Sequence, residues 1–277
     1  MNRIQAAFEN KPIFMPYFPL GYPDLETSID VIEALATYGA DLIEVGLSFS
    51  DPLADGPVIQ HATQVALETG ITVRKSLEAI KELRSRAVDI PLVLMGYYNP
   101  MLAYGLEKFI CDAIDAGADG FIVPDLPAEE SDEFTSALDN LAGRVEDGDF
   151  PSSYRDHPLI PMIAPTTPNE RMEMIARNAK GFIYLVSVTG VTGERKSISD
   201  RLGELIARLR QHTAVPVCVG FGISTPEQAK DVGRMADGVI VGTACVKIIG
   251  GSVEPVEAAK RLAQDFQQAL KESKNGS

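Results

Sequence analysis

Residues 215–242, VPVCVGFGISTPEQAKDVGRMADGVIVG, contain two short apolar runs on either side of a helical pattern. The runs, at 215–220 and 238–242, are continuously apolar, which is typical of parallel strands that are buried on both faces. Between them, residues 226–237 have the mixed apolar and charged pattern of an amphipathic helix. Such a strand, helix and parallel strand form the repeating unit of α/β proteins.

The same unit recurs along the 277 residues of the chain. Further apolar runs lie at 13–21, 42–46, 92–97, 120–125, 159–165 and 182–187, and residues 25–41 and 106–119 have helical patterns. These two helical stretches end in YGAD and AGAD, with a glycine where a left-handed helix cap is needed. Eight strand–helix repeats predict an α/β fold, a single TIM (β/α)8 barrel over residues 1–277. A doubly wound sheet is the alternative, but it often needs a second domain, and no linker is visible.

One segment, LAGRVEDGDFPSSYRDHP at 141–158, is unusually long for a connection between a helix and a strand. In a TIM barrel such connections lie on the face opposite the chemistry. We interpret the segment as a surface insertion, with a contact to another chain as the alternative.

The charge of the chain limits its partners. It has 25 Lys and Arg against 39 Asp and Glu, a net charge of −14, and no basic block. This argues against nucleic acid and anionic membranes as partners. No apolar run approaches 18 residues, and the amino terminus lacks the apolar region of a signal peptide. The three cysteines are odd in number and widely spaced, which is typical of packing cysteines in a reducing compartment. We expect a soluble, cytoplasmic protein.

The stretch EVGLSFSDPLADGP, residues 44–57, contains three carboxylates. Glu44 lies near the end of the second predicted strand, and Asp51 and Asp55 lie in the loop that follows. TIM-barrel active sites are built at this end of the strands. Glu44 is either a buried acid that a neighbouring donor satisfies or a carboxylate with a raised pKa that exchanges protons near neutral pH.

Three glycine-rich segments follow the last three strands: VTGVTGER (188–195), GFGIS (220–224) and GVIVGTA (238–244). Many barrels bind phosphate at this place through backbone N–H groups and the start of a short helix. Backbone donors would let an acidic protein bind an anion without a basic patch.

The residues that Schiff-base, metal-dependent or dinucleotide-dependent catalysis would need are not found in the expected places. None of the eight apolar runs contains the lysine of a Schiff-base aldolase, and His61, His157 and His212 are scattered rather than clustered as metal ligands. No dinucleotide fingerprint is complete, so we expect neither metal nor cofactor. Of the reaction types considered, this leaves acid–base catalysis by carboxylates on a phosphorylated small molecule.

The stretch GADLIEVGLSFSDPLADGPVIQ, residues 39–60, closely resembles the signature of the tryptophan synthase α chain family. The similarity continues through MGYYNPMLAYG (95–105), PDLPAEES (124–131), APTTPNER (164–171) and YLVSVTGVTGER (184–195), and covers essentially the whole chain. The resemblance implies a TIM-barrel lyase that splits indole-3-glycerol phosphate into indole and glyceraldehyde 3-phosphate. Its partner would be a pyridoxal-phosphate-dependent β chain, in an α2β2 complex, that uses the indole.

The resemblance also implies roles for individual residues. Glu44 would protonate indole C3, Asp55 would accept the indole N–H, and Thr192 would hydrogen-bond Asp55 when its loop closes. The phosphate would be held by Gly193, Gly222, Gly242 and Thr243. The indole pocket would be lined by Tyr17, Ile59, Met95, Ile122, Tyr184 and Phe221, which from the sequence alone would be barrel core. The β chain would be contacted by Asp51, Pro52, Asn99 and Pro127.

The chain departs from the family pattern at Tyr22, where Asp is common, at Ser48, where Pro is common, at Thr243, where Ser is common, and in the 141–158 insertion. None of these departures removes a catalytic group. Three alternatives stay open: another phosphate-binding barrel enzyme, such as a sugar isomerase of histidine or tryptophan biosynthesis, a non-catalytic activator of a β chain, and a stand-alone lyase.

Overall fold

Eight short parallel strands and the helices between them form the described part of the chain. The computed structural model describes residues 2–148, 151, 154–186, 195–220 and 222–274. Its strands are β1 (Ile13–Pro19), β2 (Ile43–Gly46), β3 (Leu92–Met95), β4 (Gly120–Ile122), β5 (Met162–Ile163), β6 (Ile183–Val186), β7 (Val217–Gly220) and β8 (Gly238–Val241). Each lies within one of the eight apolar runs.

The strands are ordered β4-β3-β2-β1-β8-β7-β6-β5, so that β1 pairs with both β2 and β8. A parallel bridge between Phe121 of β4 and Leu159, just before β5, joins the two ends of the sheet. The predicted TIM barrel is therefore confirmed. All the carboxyl ends of the strands lie at one end of the barrel, which is where the site residues are expected.

Helices cover the outside of this barrel. They are α1 (Arg3–Ala7), α2 (Leu25–Tyr38), α3 (Pro57–Glu68), α4 (Val73–Ser85), α5 (Tyr98–Tyr104), α6 (Leu106–Ala116), α7 (Asp132–Glu146), α8 (Asn169–Asn178), α9 (Arg195–Arg210), α10 (Pro226–Gly233), α11 (Thr243–Gly250) and α12 (Pro255–Lys274). Gly39 ends α2 with φ of 143°, and Gly117 ends α6 with φ of 105°. A side chain is strained at such angles, which confirms the predicted glycine caps.

An aspartate precedes each of β2, β4 and β8 and has the same contact in all three places. Its carboxylate accepts the N–H of a residue at the start of the preceding strand: Asp41 from Phe14 at 2.8 Å, Asp119 from Leu92 at 2.8 Å and Asp237 from Val217 at 3.0 Å. Arg84 pairs with Asp119 at 2.5 Å, and Lys11 pairs with Asp237 at 2.7 Å. These contacts fix the amino-terminal end of the barrel, opposite the expected site.

The predicted insertion begins later than the sequence suggested. Helix α7 continues to Glu146, so residues 141–146 are helix, and Leu141 is buried in the core. Residues 141–146, LAGRVE, continue the helical pattern, with Val145 packed partly buried against the core one turn after Leu141. Beyond the helix, the Pro158 carbonyl accepts the N–H of Phe121 at 2.9 Å, and Asn2 donates to the Asp156 carbonyl at 3.2 Å. These contacts place Asp156 and Pro158 at the amino-terminal end of the barrel.

Shortening this connection should leave catalysis almost unchanged. We expect that replacing residues 147–153 with a few glycines will change kcat by less than about twofold and the free energy of unfolding by about 1 kcal/mol, because loop closure depends weakly on length. Tyr154 should be kept, since it is buried. Steady-state turnover of the substrate that the resemblance implies, and urea unfolding, measure the two quantities. A tenfold loss of kcat in a folded variant would show that the segment contributes to the active site.

Candidate active site

Glu44 lies inside the barrel. It is in β2, where Tyr17 of β1 and Val93 of β3 are its register partners, and only 1% of it is exposed. Burial raises its pKa to about 8. Within the described part of the chain, no hydrogen bond reaches its Oε1 atom. Glu44 therefore does not fit the interpretation of a satisfied buried acid, and it carries a proton at neutral pH.

The pH dependence of stability should report this buried proton. Because the pKa of Glu44 is about 8 in the folded protein and near 4.5 in the unfolded chain, the folded state binds the extra proton between these values. Its contribution to stability is therefore complete below the lower value and is lost as the pH rises through about 8. Glutamine cannot ionise, so Glu44→Gln should lose less Tm between about pH 6 and 9 than wild type does.

The matched control for this prediction is Glu78→Gln, the same change on the exposed face of α4. Thermal unfolding of the three proteins at both pH values is the measurement. If Glu44→Gln and Glu78→Gln have the same pH dependence as wild type, Glu44 is not buried as a neutral acid.

Asp55 is held in the loop between β2 and α3. The Tyr97 hydroxyl donates to Asp55 Oδ2 at 3.0 Å and accepts the N–H of Ala54 at 3.0 Å. The Asp55 carbonyl accepts a hydrogen bond from Gln60 at 2.8 Å. Burial raises the pKa of Asp55, while the hydrogen bond from Tyr97 lowers it. The loop thus presents a partly buried carboxylate whose ionised form is favoured by a hydroxyl donor.

Two tyrosines connect these carboxylates. Tyr17 and Tyr184 are buried, and burial, with Glu44 and Asp55 as further causes, raises the pKa of each phenol. Both rings are therefore close to both carboxylates, although the residues come from β1, β2, β6 and a loop. The two predicted catalytic acids therefore lie near the same two buried aromatic rings.

Two strand-end glycines make room for these rings. A Cβ atom at Gly46 would lie 2.3 Å from the Tyr17 hydroxyl oxygen, and one at Gly220 would lie 2.5 Å from that of Tyr184. Any side chain there would displace the ring. Gly220, which the sequence suggested as a place of ligand approach, therefore accommodates Tyr184.

The other described pocket residues surround this centre. Met95 and Ile122 are buried at the ends of β3 and β4. Ile59 lies on α3, and a Cβ atom at Gly242 would lie 3.8 Å from both its Cδ1 and the Tyr17 Cβ. Of the predicted site residues, Ile59 and Tyr17 thus lie next to Gly242 at the carboxyl end of the barrel. Phe221 lies outside the described residues.

The start of α11 offers backbone donors. Gly242 is its N-cap and makes no side-chain capping hydrogen bond, so Thr243 and the residues after it present N–H groups at the positive end of the helix dipole. In contrast, α10 begins with a capping box formed by Thr225 and Gln228. Gly222 has φ of 78°, which a glycine adopts without strain. Thr192 and Gly193 lie outside the described residues.

The predicted partner-contact residues follow β2, β3 and β4 at the same end of the barrel. Asp51, Asn99 and Pro127 are exposed, and Pro52 is half-buried. Two apolar side chains on the same segments are also exposed, Leu53 by 81% and Leu102 by 42%. Apolar side chains among exposed polar residues are typical of an interaction surface.

Two departures from the family pattern have clear surroundings. The Tyr22 ring covers Gly250, where a Cβ atom would lie 2.3 Å from a ring carbon, and it meets the His61 ring edge-on at 6.5 Å. The Ser48 hydroxyl is buried, and no described residue hydrogen-bonds it.

Tyr97 was missed by the sequence analysis. Its place two residues after β3, at the carboxyl end, is the signal that could have found it.

Within the described ranges, no group of three or more His, Cys, Asp or Glu side chains could hold a metal ion. Nor is any helix of the described residues both long enough and apolar enough to cross a bilayer.

Comparisons with known proteins agree with this geometry. A family model described as tryptophan synthase alpha chain matches residues 4–275. The tryptophan synthase alpha chain of Chloroflexus aggregans is 45% identical over 252 residues, 89% of each chain, and that of Desulfatibacillum aliphaticivorans is 42% identical over the full length of both. The crystal structure of the Legionella pneumophila tryptophan synthase subunit alpha aligns with a TM-score of 0.84 at 33% identity, covering 98% of this chain and 99% of the other. The chain belongs to the tryptophan synthase alpha chain family.

Proposed function

We propose that Glu44 and Asp55 together catalyse the cleavage of indole-3-glycerol phosphate in this chain. Membership of the family makes the chain a lyase of tryptophan biosynthesis that forms indole and glyceraldehyde 3-phosphate. The observation that carries the residue assignment is that the buried Glu44, whose pKa burial raises to about 8, and the half-buried Asp55 lie near the same two buried tyrosine rings.

Glu44 supplies the proton that the reaction needs. The reaction is a retro-aldol cleavage, and an indole carbanion is a very poor leaving group. Protonation of indole C3 makes the ring a far better leaving group and spreads positive charge to the ring nitrogen. A carboxyl group with a pKa of about 8 holds a proton at neutral pH and can return to that state after transfer, also by accepting the proton of the glycerol hydroxyl.

Asp55 stabilises the positive charge that follows. Its ionised carboxylate accepts the indole N–H and neutralises the cationic ring, an interaction that strengthens as the transition state forms. The Tyr97 hydrogen bond to Oδ2 favours the ionised form. Thr192 completes this arrangement by hydrogen-bonding Asp55 when its loop closes.

The substrate is held by groups separate from the two acids. The indole ring packs among Tyr17, Ile59, Met95, Ile122, Tyr184 and Phe221. The phosphate accepts hydrogen bonds from Gly193, Gly222, Gly242 and Thr243. The uncapped start of α11 supports this placement, since its N–H groups and helix dipole favour an anion.

The chain forms an α2β2 complex with a β chain through Asp51, Pro52, Asn99 and Pro127, and it works in the cytoplasm as one barrel domain. The family implies the β chain. The exposed Leu53 and Leu102 beside these residues support the surface, and free Cys111, Cys218 and Cys245 support the compartment. Family membership disfavours a sugar isomerase.

Titration with the β chain tests the assembly. We expect low indole release from the isolated chain and a rise to saturation as the β chain is added, because docking favours the arrangement in which Thr192 hydrogen-bonds Asp55. Leu53→Asp should weaken the activation by the β chain without changing the rate of the isolated chain. Val253→Asp, the same kind of change at an exposed residue between α11 and α12, is the control and should leave the activation unchanged. High activity of the isolated chain and a flat titration would identify a stand-alone lyase.

A further inference from the structure

We propose that Tyr97 is a positioning residue that holds Asp55 in the orientation and ionisation state needed for cleavage. This proposal rests on the role proposed for Asp55 above. It adds a residue that acts through that carboxylate and has no reacting atom of its own.

The Tyr97 hydroxyl has a fixed direction. It accepts the N–H of Ala54 at 3.0 Å, and it lies 3.0 Å from Asp55 Oδ2. A phenol has a single proton, and the Ala54 N–H can only donate. The hydroxyl proton must therefore point to Asp55, and the backbone donor keeps it there.

The ring that carries this hydroxyl is fixed too. Tyr97 is only 5% exposed, and its ring packs against that of Phe49 with centroids 5.6 Å apart. It is the residue immediately before α5, so it extends from the loop after β3 to the loop after β2. The contact ties two neighbouring loops together at Asp55 and limits the rotation of the carboxylate.

A hydroxyl donor on Oδ2 leaves the other oxygen for substrate. Within the described ranges, the only side-chain hydrogen bond found at the Asp55 carboxylate is the one from Tyr97 to Oδ2. The donor also favours the ionised carboxylate, whereas burial opposes ionisation. The other titratable groups near Asp55 are Glu44, Tyr17 and Tyr184, and none of them supplies a positive charge at neutral pH. On its other side, Tyr97 is near the Asp125 carboxylate.

The test is Tyr97→Phe, which removes one oxygen and keeps the ring. Indole release, alone and with saturating β chain, should fall about 10- to 100-fold in kcat, the range expected for a hydrogen bond to a charged group. KM should change by less than about threefold, because the phosphate is held elsewhere. The acid limb of the pH–rate profile should move to higher pH, since burial then acts on Asp55 unopposed.

Tyr104→Phe is the matched control. It is the same change at the last residue of α5, and the Tyr104 hydroxyl donates to Asp112 of α6 at 2.5 Å. We expect wild-type kcat and an unchanged pH profile. A purely structural effect of losing a tyrosine hydroxyl would appear in both variants.

A double-mutant cycle with Asp55→Asn decides how Tyr97 acts. If Tyr97 acts through Asp55, Tyr97→Phe should cost little more than twofold in the Asp55→Asn background. If Tyr97→Phe causes the same loss in wild type and in Asp55→Asn, or if the acid limb of the pH–rate profile does not shift, the proposal is overturned. A general folding defect would cause such an equal loss in the two backgrounds. If Asp55→Asn itself keeps full activity, the proposed role of Asp55 fails. If Asp55→Asn is inactive and Tyr97→Phe is fully active, only the present inference fails.

Discussion

Glu44→Gln should lose cleavage by at least the roughly 10²- to 10⁴-fold that is typical of general acid–base catalysis. Glutamine keeps the shape of the side chain and its hydrogen-bonding oxygen but has no proton to give to indole C3. Glu44 is buried in β2 with a pKa of about 8. No other described acid of the pocket is so completely enclosed, so no neighbour should replace it. In wild type, kcat/KM should fall as the pH rises above about 8, where Glu44 loses its proton.

Substrate binding should survive this change, because the proposed phosphate donors at the start of α11 are separate from Glu44. Single-turnover indole release beside a binding titration with a non-cleavable glycerol-phosphate analogue separates the two effects. Glu78→Gln on the exposed face of α4 is the control. If Glu44→Gln cleaves at a near wild-type rate, or loses binding and not chemistry, Glu44 is not the proton-transfer group.

Asp55→Asn should also be severely impaired, by about 10²-fold or more, because the amide can accept the indole N–H but cannot neutralise a cationic ring. Wild type should lose activity as the pH falls through the pKa of Asp55, which burial raises above its ordinary value. The variant should lack this acid limb. Asp51→Asn, in the same loop but exposed, should retain the cleavage rate of the isolated chain.

Replacements at the two positions should differ. Asp55 need only present a well-placed negative end, so Asp55→Glu or Asp55→Tyr should recover more activity than any replacement of Glu44. The comparison uses the same single-turnover assay at one pH. Equal recovery at the two positions, or none at Asp55, would contradict the assignment of an electrostatic role to Asp55 and a proton-transfer role to Glu44.

The local features of this molecule could be predicted from the sequence. Continuous apolar runs marked all eight strands, and glycine at 39 and 117 marked two helix ends, since both signals depend on residues adjacent in the chain. The stretch 39–60 indicated the family, and with it Glu44 and Asp55. The end of α7 was placed too early: the helix continues to Glu146, with Leu141 buried and Val145 packed partly buried against the core.

The properties that make the site reactive depend on contacts between distant residues. Only the barrel shows that Glu44 is enclosed, and this burial raises its pKa to about 8. Tyr97 meets Asp55 across 42 positions of sequence, and the glycine at 46 is explained by the Tyr17 ring from another strand. The sequence by itself determined which elements form and which acids are present, because periodicity and composition are local. The tertiary structure decided their protonation and orientation, because desolvation and hydrogen bonding depend on which strands become neighbours.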